Sequence, residues 1–420
     1  MAQLSDDCFA FGGPLLAVDE AAGLIARQVR PIGVSESVAL GSADGRVLAA
    51  DFHALSPLPP FTNSAVDGYA VRHGDLAVAG ETVLLLAGRL EAGVTAGAIV
   101  PMSAMRIFTG AMMPEGADTV FMQEDVRVAD NQADLHVVLP PGLQRGANVR
   151  PAGEDFAAGA VALPAGRRLR PQDVALAAAL GASGLDVARR LKVGVFSTGN
   201  ELVSPGESRS GPQIFDSNRF MLLALLGRLG CDAHDLGVLR DDVAGLARAL
   251  RAAAAEHDLI VTSGGVSTGE ADHVKAAVEA VGSLVFWRMA IKPGRPVAMG
   301  VIAGTPFVGL PGNPVASYVT QAYVVRPLAL ALMGAAVAPF LPLPVRAAFS
   351  YAKKPGRREF VRVSLARAGD GVVEAHKFPR DGVGLLSSLT ETHGLVELSE
   401  STTQIGPGQI VGFLDYAALW

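Results

Sequence analysis

The residues with the clearest chemical potential lie in one glycine-rich segment, residues 262–272, which reads TSGGVSTGEAD. An apolar run precedes it and an amphipathic stretch follows it, which is how many α/β proteins place a phosphate at the start of a helix. Its glycines allow backbone N–H groups to turn inward and form a concavity that binds anions. Glu270 and Asp272 would repel a phosphate there unless a divalent cation such as Mg²⁺ lies between the charges. The segment therefore predicts a phosphorylated ligand that is handled together with a metal ion.

Three further segments follow predicted strands, and open α/β sheets bind their ligands outside the carboxyl ends of the strands. In the last segment Asn313 is placed as a helix N-cap and Pro314 as the first helical residue, so that free N–H groups point toward the same crevice. Each segment alone is also typical of an ordinary turn, cap or hairpin, and only the combination predicts a metal-assisted phosphoryl or nucleotidyl site. The three segments are residues 197–201 (STGNE), 292–296 (KPGRP) and 309–314 (GLPGNP).

Charged side chains of both signs accompany these segments. Lys292 and Arg295 add positive charge that suits an anionic ligand. Other patterns are missing from the sequence, which has no P-loop of the GxxxxGK[ST] type, no GxGxxG dinucleotide fingerprint and no histidines at metal-ligand spacing. The carboxylates that are candidates for binding a metal ion are Glu201, Asp241, Glu270 and Asp272.

Composition limits the classes of function. The chain has 420 residues, half of them hydrophobic, which favours several folded domains, and its net charge of −6 argues against a general nucleic-acid binder. Cys8 and Cys231 are its only cysteines, which suits a reducing cytoplasm and leaves no cysteine framework for zinc. The N-terminus lacks the basic and apolar regions of a signal peptide, and the proline-rich stretch at residues 327–345 is interpreted as a helix end and a linker. We therefore expect a cytoplasmic protein that binds neither nucleic acid nor membranes.

Strand and helix patterns divide the chain into parts and indicate an α/β multidomain protein. Residues 53–146 alternate short apolar runs with Gly/Pro turns and predict a β-rich domain. Residues 191–335 alternate strands and helices and predict a doubly wound, mostly parallel α/β domain. Residues 336–420 predict a small C-terminal β-domain. Residues 1–52 and 147–190 together flank the β-rich insertion and are expected to form a mixed N-terminal linking domain.

Seven motifs give the chain a resemblance to a known enzyme family. The sequence resembles the molybdopterin molybdenumtransferase family, the MoeA-like bacterial enzymes related to the E domain of gephyrin, from about residue 13 to about residue 415. Proteins similar only in the α/β domain, such as the molybdopterin adenylyltransferase and CinA-type proteins, do not account for the DGYAV and FTGA segments. The motifs, in family order, are PPFTNSAVDGYAV, RIFTGAMMPEGADTVFMQED, VRPAGEDF, VGVFSTGNEL, TSGGVSTGEAD, FWRMAIKPGRP and GLPGNP.

The resemblance implies a reaction and an assembly. Adenylylated molybdopterin and molybdate would give the molybdenum cofactor and AMP, with Mg²⁺ as the metal ion. The α/β domain would be of the molybdopterin-binding type. The protein would be a homodimer, in whose cleft the β-rich domain of one subunit lies opposite the α/β domain of the other. Further partners implied are the molybdopterin adenylyltransferase and the molybdoenzymes that receive the cofactor.

The same resemblance assigns residues to roles. Glu201, Asp241 and Asp272 would bind the metal ion and serve catalysis, and Thr109 and Asp155 match catalytic positions of the N-terminal half. The phosphate would be held by Ser263, Gly264 and Gly265. The remaining residues assigned to binding are Lys292, Arg295, Pro296 and Ser317 at an oxyanion pocket, Arg357 and Ser388 reaching in from the C-terminal domain, and Asn313, Thr62 and Asp67 around the cleft.

Three positions depart from the family pattern. Thr62 stands where many members have Asp, so that hydrogen bonding is kept and the charge is lost. Arg288 and Arg295 stand where lysines are common, and a planar guanidinium binds an oxyanion differently from an ammonium group. These departures leave room for another anion such as tungstate, or for a paralogue with reduced activity.

Two other functions fit parts of the pattern. A scaffold or carrier that holds molybdopterin without turnover is favoured by Thr62. A nucleotide-processing enzyme of the adenylyltransferase type is the third hypothesis, and the extra N-terminal domain argues against it. Because Glu201, Asp241 and Asp272 are retained, the metal-inserting enzyme is the first hypothesis.

Overall fold

A computed structural model describes residues 15–130, 134–240, 242–264 and 273–420. Its helices are α1 Val18–Gln28, α2 Pro171–Ala179, α3 Asn218–Leu229, α4 Val243–Glu256, α5 His273–Glu279, α6 Pro314–Thr320, α7 Arg326–Leu332 and α8 Ser387–Thr390. The strands of the first half are β1 Ser35–Ala39, β2 Phe52–His53, β3 Asn63–Ser64, β4 Gly68–Val71, β5 Thr82–Leu90, β6 Ser103–Ile107, β7 Thr119–Met122, β8 Arg127–Asp130, β9 Leu135–Leu139, β10 Val149–Arg150, β11 Val161–Leu163 and β12 Gly184–Ala188. The strands of the second half are β13 Lys192–Thr198, β14 Leu202–Val203, β15 Ile214–Phe215, β16 Asp232–Leu239, β17 Leu259–Ser263, β18 Gly282–Arg288, β19 Ile291–Lys292, β20 Pro296–Ile302, β21 Thr305–Leu310, β22 Leu343–Ala347, β23 Tyr351–Ala352, β24 Arg358–Arg367, β25 Val373–Lys377, β26 Gly394–Leu398, β27 Gln404–Ile405 and β28 Ile410–Asp415.

The central sheet has the strand order β16-β13-β17-β21-β20-β18. β13 pairs in parallel with β16 and β17, and β17 pairs in parallel with β21. β20 is antiparallel to both β21 and β18, so that β20 alone among these strands runs in the opposite direction. The doubly wound, mostly parallel α/β domain predicted from the alternating strands and helices is confirmed.

Both faces of this sheet are covered by helices, which explains the unbroken apolar runs in its strands. Val195 and Val261 pack with α3 and α6 on one face, whereas Phe196 and Ile260 pack with α4 and α5 on the other. Successive side chains of a strand point to opposite faces, so each strand serves two hydrophobic cores. α1 adds its buried residues, among them Ile25, to the α3 and α6 side.

Helix ends follow the predicted capping residues closely. α3 ends at Gly230, whose φ of 94° places it in the left-handed conformation that favours glycine. At its start the carboxylate of Asp216 accepts a hydrogen bond from the backbone N–H of Arg219 at 3.3 Å. α4 is capped by Asp242, whose Oδ2 accepts from the N–H of Gly245 at 2.8 Å.

The long helix predicted from Asn313 to Met333 is interrupted by a π-helical segment, Gln321–Val325, between α6 and α7. The whole stretch Pro314–Leu332 is long and apolar enough to cross a membrane, but 89% of it is buried inside the protein. It is therefore a core helix. Its apolar residues pack against α1 and the central sheet.

The N-terminal half contains a second sheet, with the order β7-β4-β6-β5-β9-β8, which forms the predicted β-rich region. Gly68 in β4 fits between its neighbours only because it lacks a side chain, since a Cβ there would lie 1.8 Å from the carbonyl oxygen of Phe121. Short antiparallel pairs flank this sheet: β1 with β12, β2 with β11 and β3 with β10. The chain therefore enters and leaves the β-rich region through paired segments.

The C-terminal sheet has the order β19-β24-β25-β22-β28-β26 and is closed by an additional pairing of β24 with β26. The predicted strand over residues 284–291 ends early at Arg288, because Ile291 and Lys292 leave the central sheet and pair in parallel with β24. The hairpin predicted at residues 353–358 is wrong, since β23 pairs with β27 and not with β24. The four-domain division stays a prediction, and β19 ties two of its parts together.

Candidate active site

The described parts of the four glycine- and proline-rich segments lie at one edge of the central sheet. Ser197 in β13 lies in register with Ser263 in β17, and Ser263 lies in register with Leu310 in β21. The segment at residues 292–296 reaches the same edge, because β18 runs parallel to these strands and β20 starts at Pro296 in the opposite direction. The topology thus creates a crevice at the carboxyl ends of the strands, where α/β proteins bind ligands.

Gly264 marks the closest approach between two of these segments. Its φ is 91°, and a Cβ at this position would lie 2.9 Å from the carbonyl oxygen of Thr198. Its N–H donates to the carbonyl of Leu310 at 3.0 Å. Glycine is therefore required here both by the backbone conformation and by the lack of space.

Asn218, at the start of α3, forms hydrogen bonds with two of the segments at this edge. Its Nδ2 donates to Ser263 Oγ at 2.8 Å and to the carbonyl of Gly312 at 2.7 Å. Because Ser263 accepts this bond, its own hydroxyl proton is free to be donated to an anion. Asn218 was not predicted from the sequence, although its position at the start of a helix that faces the strand ends would have indicated it.

We expect Asn218→Ala to lower kcat/KM by roughly 10- to 100-fold, because it leaves a buried serine and a carbonyl without their donor at a cost of about 1–3 kcal/mol. Asn218→Asp should be at least as damaging, since a carboxylate cannot donate and would repel a phosphate. Thr305→Val is the control, because it removes a hydrogen bond of 2.9 Å to Ala254 elsewhere in the same domain. Steady-state kinetics with thermal unfolding separates the two effects. Equal losses of turnover in the Asn218 and Thr305 variants would contradict the assignment.

Several buried polar atoms at this edge lack partners among the described residues. They are Ser197 Oγ, Asn218 Oδ1, Thr262 Oγ1 and Ser317 Oγ. Ser317 is fully buried in α6, and Ser197 is fully buried in β13. Buried polar groups are normally hydrogen-bonded, so these atoms indicate that the crevice is built to meet polar ligand or solvent atoms.

Of the four carboxylates that are candidates for binding a metal ion, the structure describes Glu201, and Glu270 lies outside the described residues. Asp241, Gly265 and Asp272 lie outside the described residues. Glu201 is exposed after β13, and its carboxylate folds back so closely that a Cβ on Gly199 would lie 2.5 Å from Oε2. In the ranges that the structure covers, no three Asp, Glu, His or Cys side chains form a metal-binding group. An exposed carboxylate oxygen is a ligand that suits Mg²⁺, so Glu201 fits the predicted role.

A second feature of the crevice is a cavity of 320 Å³ between the α/β region and the C-terminal sheet. Lys292 is the one residue of the predicted oxyanion pocket that lines it. Pro293, which also lines the cavity, belongs to the predicted segment at residues 292–296. The other lining residues were not predicted, because they come from distant strands and loops. They are Tyr351, Ala352, Phe360, Arg362, Asp381, Gly382 and Val383.

Glu359 lies beside this cavity as a buried carboxylate with three donors. Its Oε2 accepts from Tyr351 Oη at 2.7 Å and from Lys292 Nζ at 3.2 Å, and its Oε1 accepts from Arg357 Nε at 2.8 Å. Burial alone would raise the pKa of Glu359, but the hydrogen bonds from these donors outweigh it and hold the pKa below its ordinary value. For Lys292, burial is likewise outweighed, and contacts with Tyr351 and Glu359 raise the pKa of the ammonium group. Near neutral pH Glu359 is therefore a carboxylate and Lys292 an ammonium group, whereas Tyr351 keeps its proton because burial raises its pKa.

Ser388 and Arg357, predicted to reach in from the C-terminal domain, approach the cavity indirectly. Ser388 is fully buried, and its Oγ accepts from Arg362 Nη1 at 3.1 Å. Arg362 also donates to the carbonyl of Gly382, while its Nε is buried without a partner among the described residues. Burial lowers the pKa of Arg362. The guanidinium that lines the cavity is thus that of Arg362, and Ser388 fixes its position through a hydrogen bond.

The remaining residues of the predicted pocket do not line this cavity. Arg295 is exposed, and its carbonyl accepts from the N–H of Met289 at 2.8 Å. Asn313 is the N-cap residue of α6, but its side chain makes no capping bond. The N–H of Val315, one of the groups predicted to be free, donates to the carbonyl of Val383 at 3.1 Å. The C-terminal loop therefore occupies part of the helix end that the sequence analysis assigned to the ligand.

Asp67 and Thr109 of the N-terminal half form one unit. The N–H and the Oγ1 of Thr109 donate to Asp67 Oδ1 at 2.8 and 2.7 Å, which lowers the pKa of Asp67. Thr62 Oγ1 accepts from the N–H of Ala152 at 3.3 Å, and Asp155 is exposed. In the described parts of this single chain, no hydrogen bond joins these side chains to the edge of the central sheet.

Three family models match the chain in order and agree with the class of protein that the fold and the site indicate. The MoeA N-terminal region (domains I and II) matches residues 16–181, a probable molybdopterin-binding domain matches residues 194–331, and the MoeA C-terminal region (domain IV) matches residues 344–416. These matches place the chain in a class of proteins of molybdenum cofactor biosynthesis.

Individual relatives narrow this class. The chain is 38% identical over 399 residues to the molybdopterin molybdenumtransferase of Haemophilus influenzae, which covers 94% of this chain and 98% of that one. It is 35% identical to molybdopterin molybdenumtransferase 2 of Mycobacterium tuberculosis, with 91% and 94% covered. The crystal structure of the molybdopterin biosynthesis MoeA protein from Pyrococcus horikoshii OT3 is similar at a TM-score of 0.79 and 29% identity, covering 95% of this chain and 99% of that one. This chain therefore belongs to the molybdopterin molybdenumtransferase family, and it is an enzyme of that type.

Proposed function

We propose that the protein inserts molybdate into adenylylated molybdopterin and releases AMP in a Mg²⁺-dependent reaction. The observation that carries this proposal is the meeting of a phosphate-type edge with a cationic cavity. Ser263 and Gly264 present a free hydroxyl proton and a tightly folded backbone at the strand ends. Lys292 and Arg362 face the cavity next to it. One crevice thus offers separate places for a phosphate and for an oxyanion.

The phosphate part of the substrate would be held at the end of β17. Ser263 donates its hydroxyl proton, which Asn218 leaves free, and Gly264 keeps the backbone close to β13 and β21. Bound Mg²⁺ would neutralise phosphate charge and stabilise the leaving AMP. Glu201, with Asp241 and Asp272 as its predicted companions, would hold that ion. The exposed Glu201 carboxylate is free to turn toward the crevice, because no cation pairs with it in the described ranges.

The oxyanion would enter the cavity beside Lys292. An ammonium group and a guanidinium that line the same cavity would attract the molybdate dianion. Arg295 would add long-range attraction, with the planar geometry of a guanidinium in place of the more common lysine. We propose that this difference alters the preference among oxyanions and does not abolish binding.

A homodimer would complete the crevice. Asp67, Thr109 and Asp155 lie in the N-terminal half, and within the described chain they make no hydrogen bond to the edge of the central sheet. A second copy could bring its β-rich region over that edge, as the family resemblance implies. We therefore propose a cytoplasmic homodimer that takes its substrate from a molybdopterin adenylyltransferase and passes the product to molybdoenzymes.

A carrier without turnover is the second candidate, and Thr62 is the observation that favours it. Its hydroxyl is engaged with the backbone of Ala152, and it has no charge with which to replace the aspartate common in the family. Such a protein would bind the adenylylated substrate and keep it.

AMP release from adenylylated molybdopterin by the purified protein, with Mg²⁺ and with or without molybdate, tests both candidates. We expect AMP release that depends on molybdate and on Mg²⁺, because the cavity and the phosphate edge must be filled together. Tight binding of substrate with no AMP release would establish the carrier. The absence of any binding would overturn both functions and leave the fold untouched.

A further inference from the structure

We propose that Glu359 and Tyr351 form a positioning pair that aims the Lys292 ammonium group at the oxyanion. This inference rests on the proposed function, because it assigns a task to a carboxylate at the edge of the same cavity. A buried negative charge beside an anion site would weaken binding if it faced the ligand directly. The Glu359 carboxylate therefore needs another role at this site, and its hydrogen bonds to Tyr351 and Lys292 indicate that it orients the lysine.

The hydrogen-bond inventory of the cluster leaves a single proton available. Tyr351 donates its hydroxyl proton to Glu359 Oε2. Tyr351 Oη can therefore only accept a hydrogen bond from Lys292 Nζ, which lies 3.3 Å away. A second proton of Lys292 goes to Glu359 at 3.2 Å. An ammonium group has three protons, so one remains, and its direction is fixed by the other two. Glu359 and Tyr351 thus turn a flexible cation into a directed donor.

Backbone pairing reinforces this arrangement. Lys292 and Glu359 are directly opposite in the parallel pairing of β19 with β24, which joins the segment after β18 to the C-terminal sheet. Glu359 is 1% exposed, whereas the Lys292 side chain is 48% exposed. The carboxylate is therefore the fixed member of the pair and the lysine is the member that needs holding.

The charges around the cavity agree with a positioning role. Arg357 occupies the other carboxylate oxygen of Glu359, and the second nearby carboxylate, Asp381, forms an ion pair with Lys377 at 2.8 Å. Each of these two carboxylates is paired with a cation. The cavity keeps a net positive charge while the orientation of its lysine is controlled, which is what binding of a tetrahedral dianion requires.

Tyr351→Phe is the first test, because it removes one oxygen and leaves the ring in place. We expect the molybdate concentration for half-maximal turnover to rise roughly tenfold, consistent with one lost hydrogen bond to a charged group. The concentration of adenylylated molybdopterin for half-maximal turnover should stay unchanged. Glu359→Gln should have a larger effect in the same direction, since the amide accepts fewer of the three bonds and its NH₂ group faces donors.

Labelling of Lys292 with an amine-reactive reagent across a pH series, read by mass spectrometry, gives a second measurement that does not need turnover. Loss of the Tyr351 hydroxyl should lower the pKa of Lys292, so that labelling begins at lower pH. Tyr323→Phe is the matched control, because Tyr323 also contacts a glutamate, Glu397 at 3.5 Å, without lining this cavity. It should leave both the labelling of Lys292 and the molybdate requirement unchanged.

The outcomes separate this inference from the proposed function. Unchanged labelling of Lys292 and an unchanged molybdate requirement in Tyr351→Phe would overturn the positioning role. Equal increases in the requirement for both substrates would also overturn it, because they would show a general structural effect. A wild-type protein without AMP release would remove the proposed function, whereas the labelling comparison would still decide whether Glu359 and Tyr351 hold Lys292. If Glu359→Gln does not fold, Tyr351→Phe alone decides.

Discussion

Glu201→Gln and Asp272→Asn are each expected to abolish measurable AMP release while the fold is retained. Both replacements keep the size of the side chain and remove the negative charge that a Mg²⁺ site needs. Loss of one group that stabilises developing charge typically costs roughly 10²–10³ in kcat, and loss of the ion itself would cost more. The two variants should therefore show the largest catalytic effects in the protein.

The structural basis for this expectation is clearest at Glu201. It follows β13 directly at the carboxyl edge, and its side chain is exposed and folded over Gly199. A replacement there disturbs no core packing. Asp272 lies outside the described residues, and its inclusion depends on the sequence, in which it closes the glycine-rich segment at the edge of the sheet.

Turnover measured across a series of Mg²⁺ concentrations checks the prediction. Glu207→Gln is the control, because Glu207 is another exposed acid in the loop after β13, where it accepts a hydrogen bond from Ser204 at 3.3 Å. It should keep full activity and the same Mg²⁺ requirement. If either Glu201→Gln or Asp272→Asn keeps full turnover, the assignment of the metal site is wrong.

Local pattern was sufficient to predict the α/β region. The apolar runs of β13 and β17 and the terminating Gly230 all act within a few residues, and each lies where the pattern predicts it. Strand ends could be placed on one edge because parallel pairing leaves little choice of topology. The crevice itself was therefore predictable without coordinates.

The side chains that complete the crevice were not predictable in the same way. Lys292 and Glu359 are separated by 67 positions in the sequence. They meet because the chain leaves the central sheet after β18 and adds β19 to the C-terminal sheet. Arg362 lines the cavity because Ser388 and Gly382, far along the chain, hold its guanidinium. Such contacts depend on how two sheets are placed against each other, and no periodicity of the sequence contains that information.

The position of Asp67 and Thr109 relative to the central sheet could not be predicted from the sequence either. The pairing of Asp67 with Thr109 fixes one carboxylate in a short turn region of the β-rich sheet, but among the described residues of one chain no hydrogen bond joins it to the carboxyl edge of the central sheet. Residues with this placement are typical of a site shared between two subunits, in which symmetry supplies the missing half. The role of Thr62 belongs to the same question, because its hydroxyl faces the neighbouring backbone of Ala152.

Gly264→Ala is expected to reduce turnover by roughly 10²-fold, because a displacement of about 1 Å at a reacting centre has an effect of that size. The new methyl group would lie 2.9 Å from the carbonyl oxygen of Thr198, and a backbone atom in a buried strand cannot move aside as a flexible side chain can. The end of β17 would therefore shift away from β13 and take Ser263 with it. The adenylylated substrate would lose its phosphate contacts before the fold is lost.

Gly181→Ala is an unusually close control for this variant. Gly181 has the same φ of 91°, at the end of α2, but a Cβ there would meet no atom within 4 Å. Both alanines pay the conformational penalty of about 1–2 kcal/mol for a left-handed residue, whereas only Gly264→Ala meets the steric barrier. Thermal unfolding and steady-state kinetics on the pair should show two destabilised proteins, of which only the Gly264 variant has lost activity. Full activity in both would mean that the close approach of β13 and β17 does not position the phosphate.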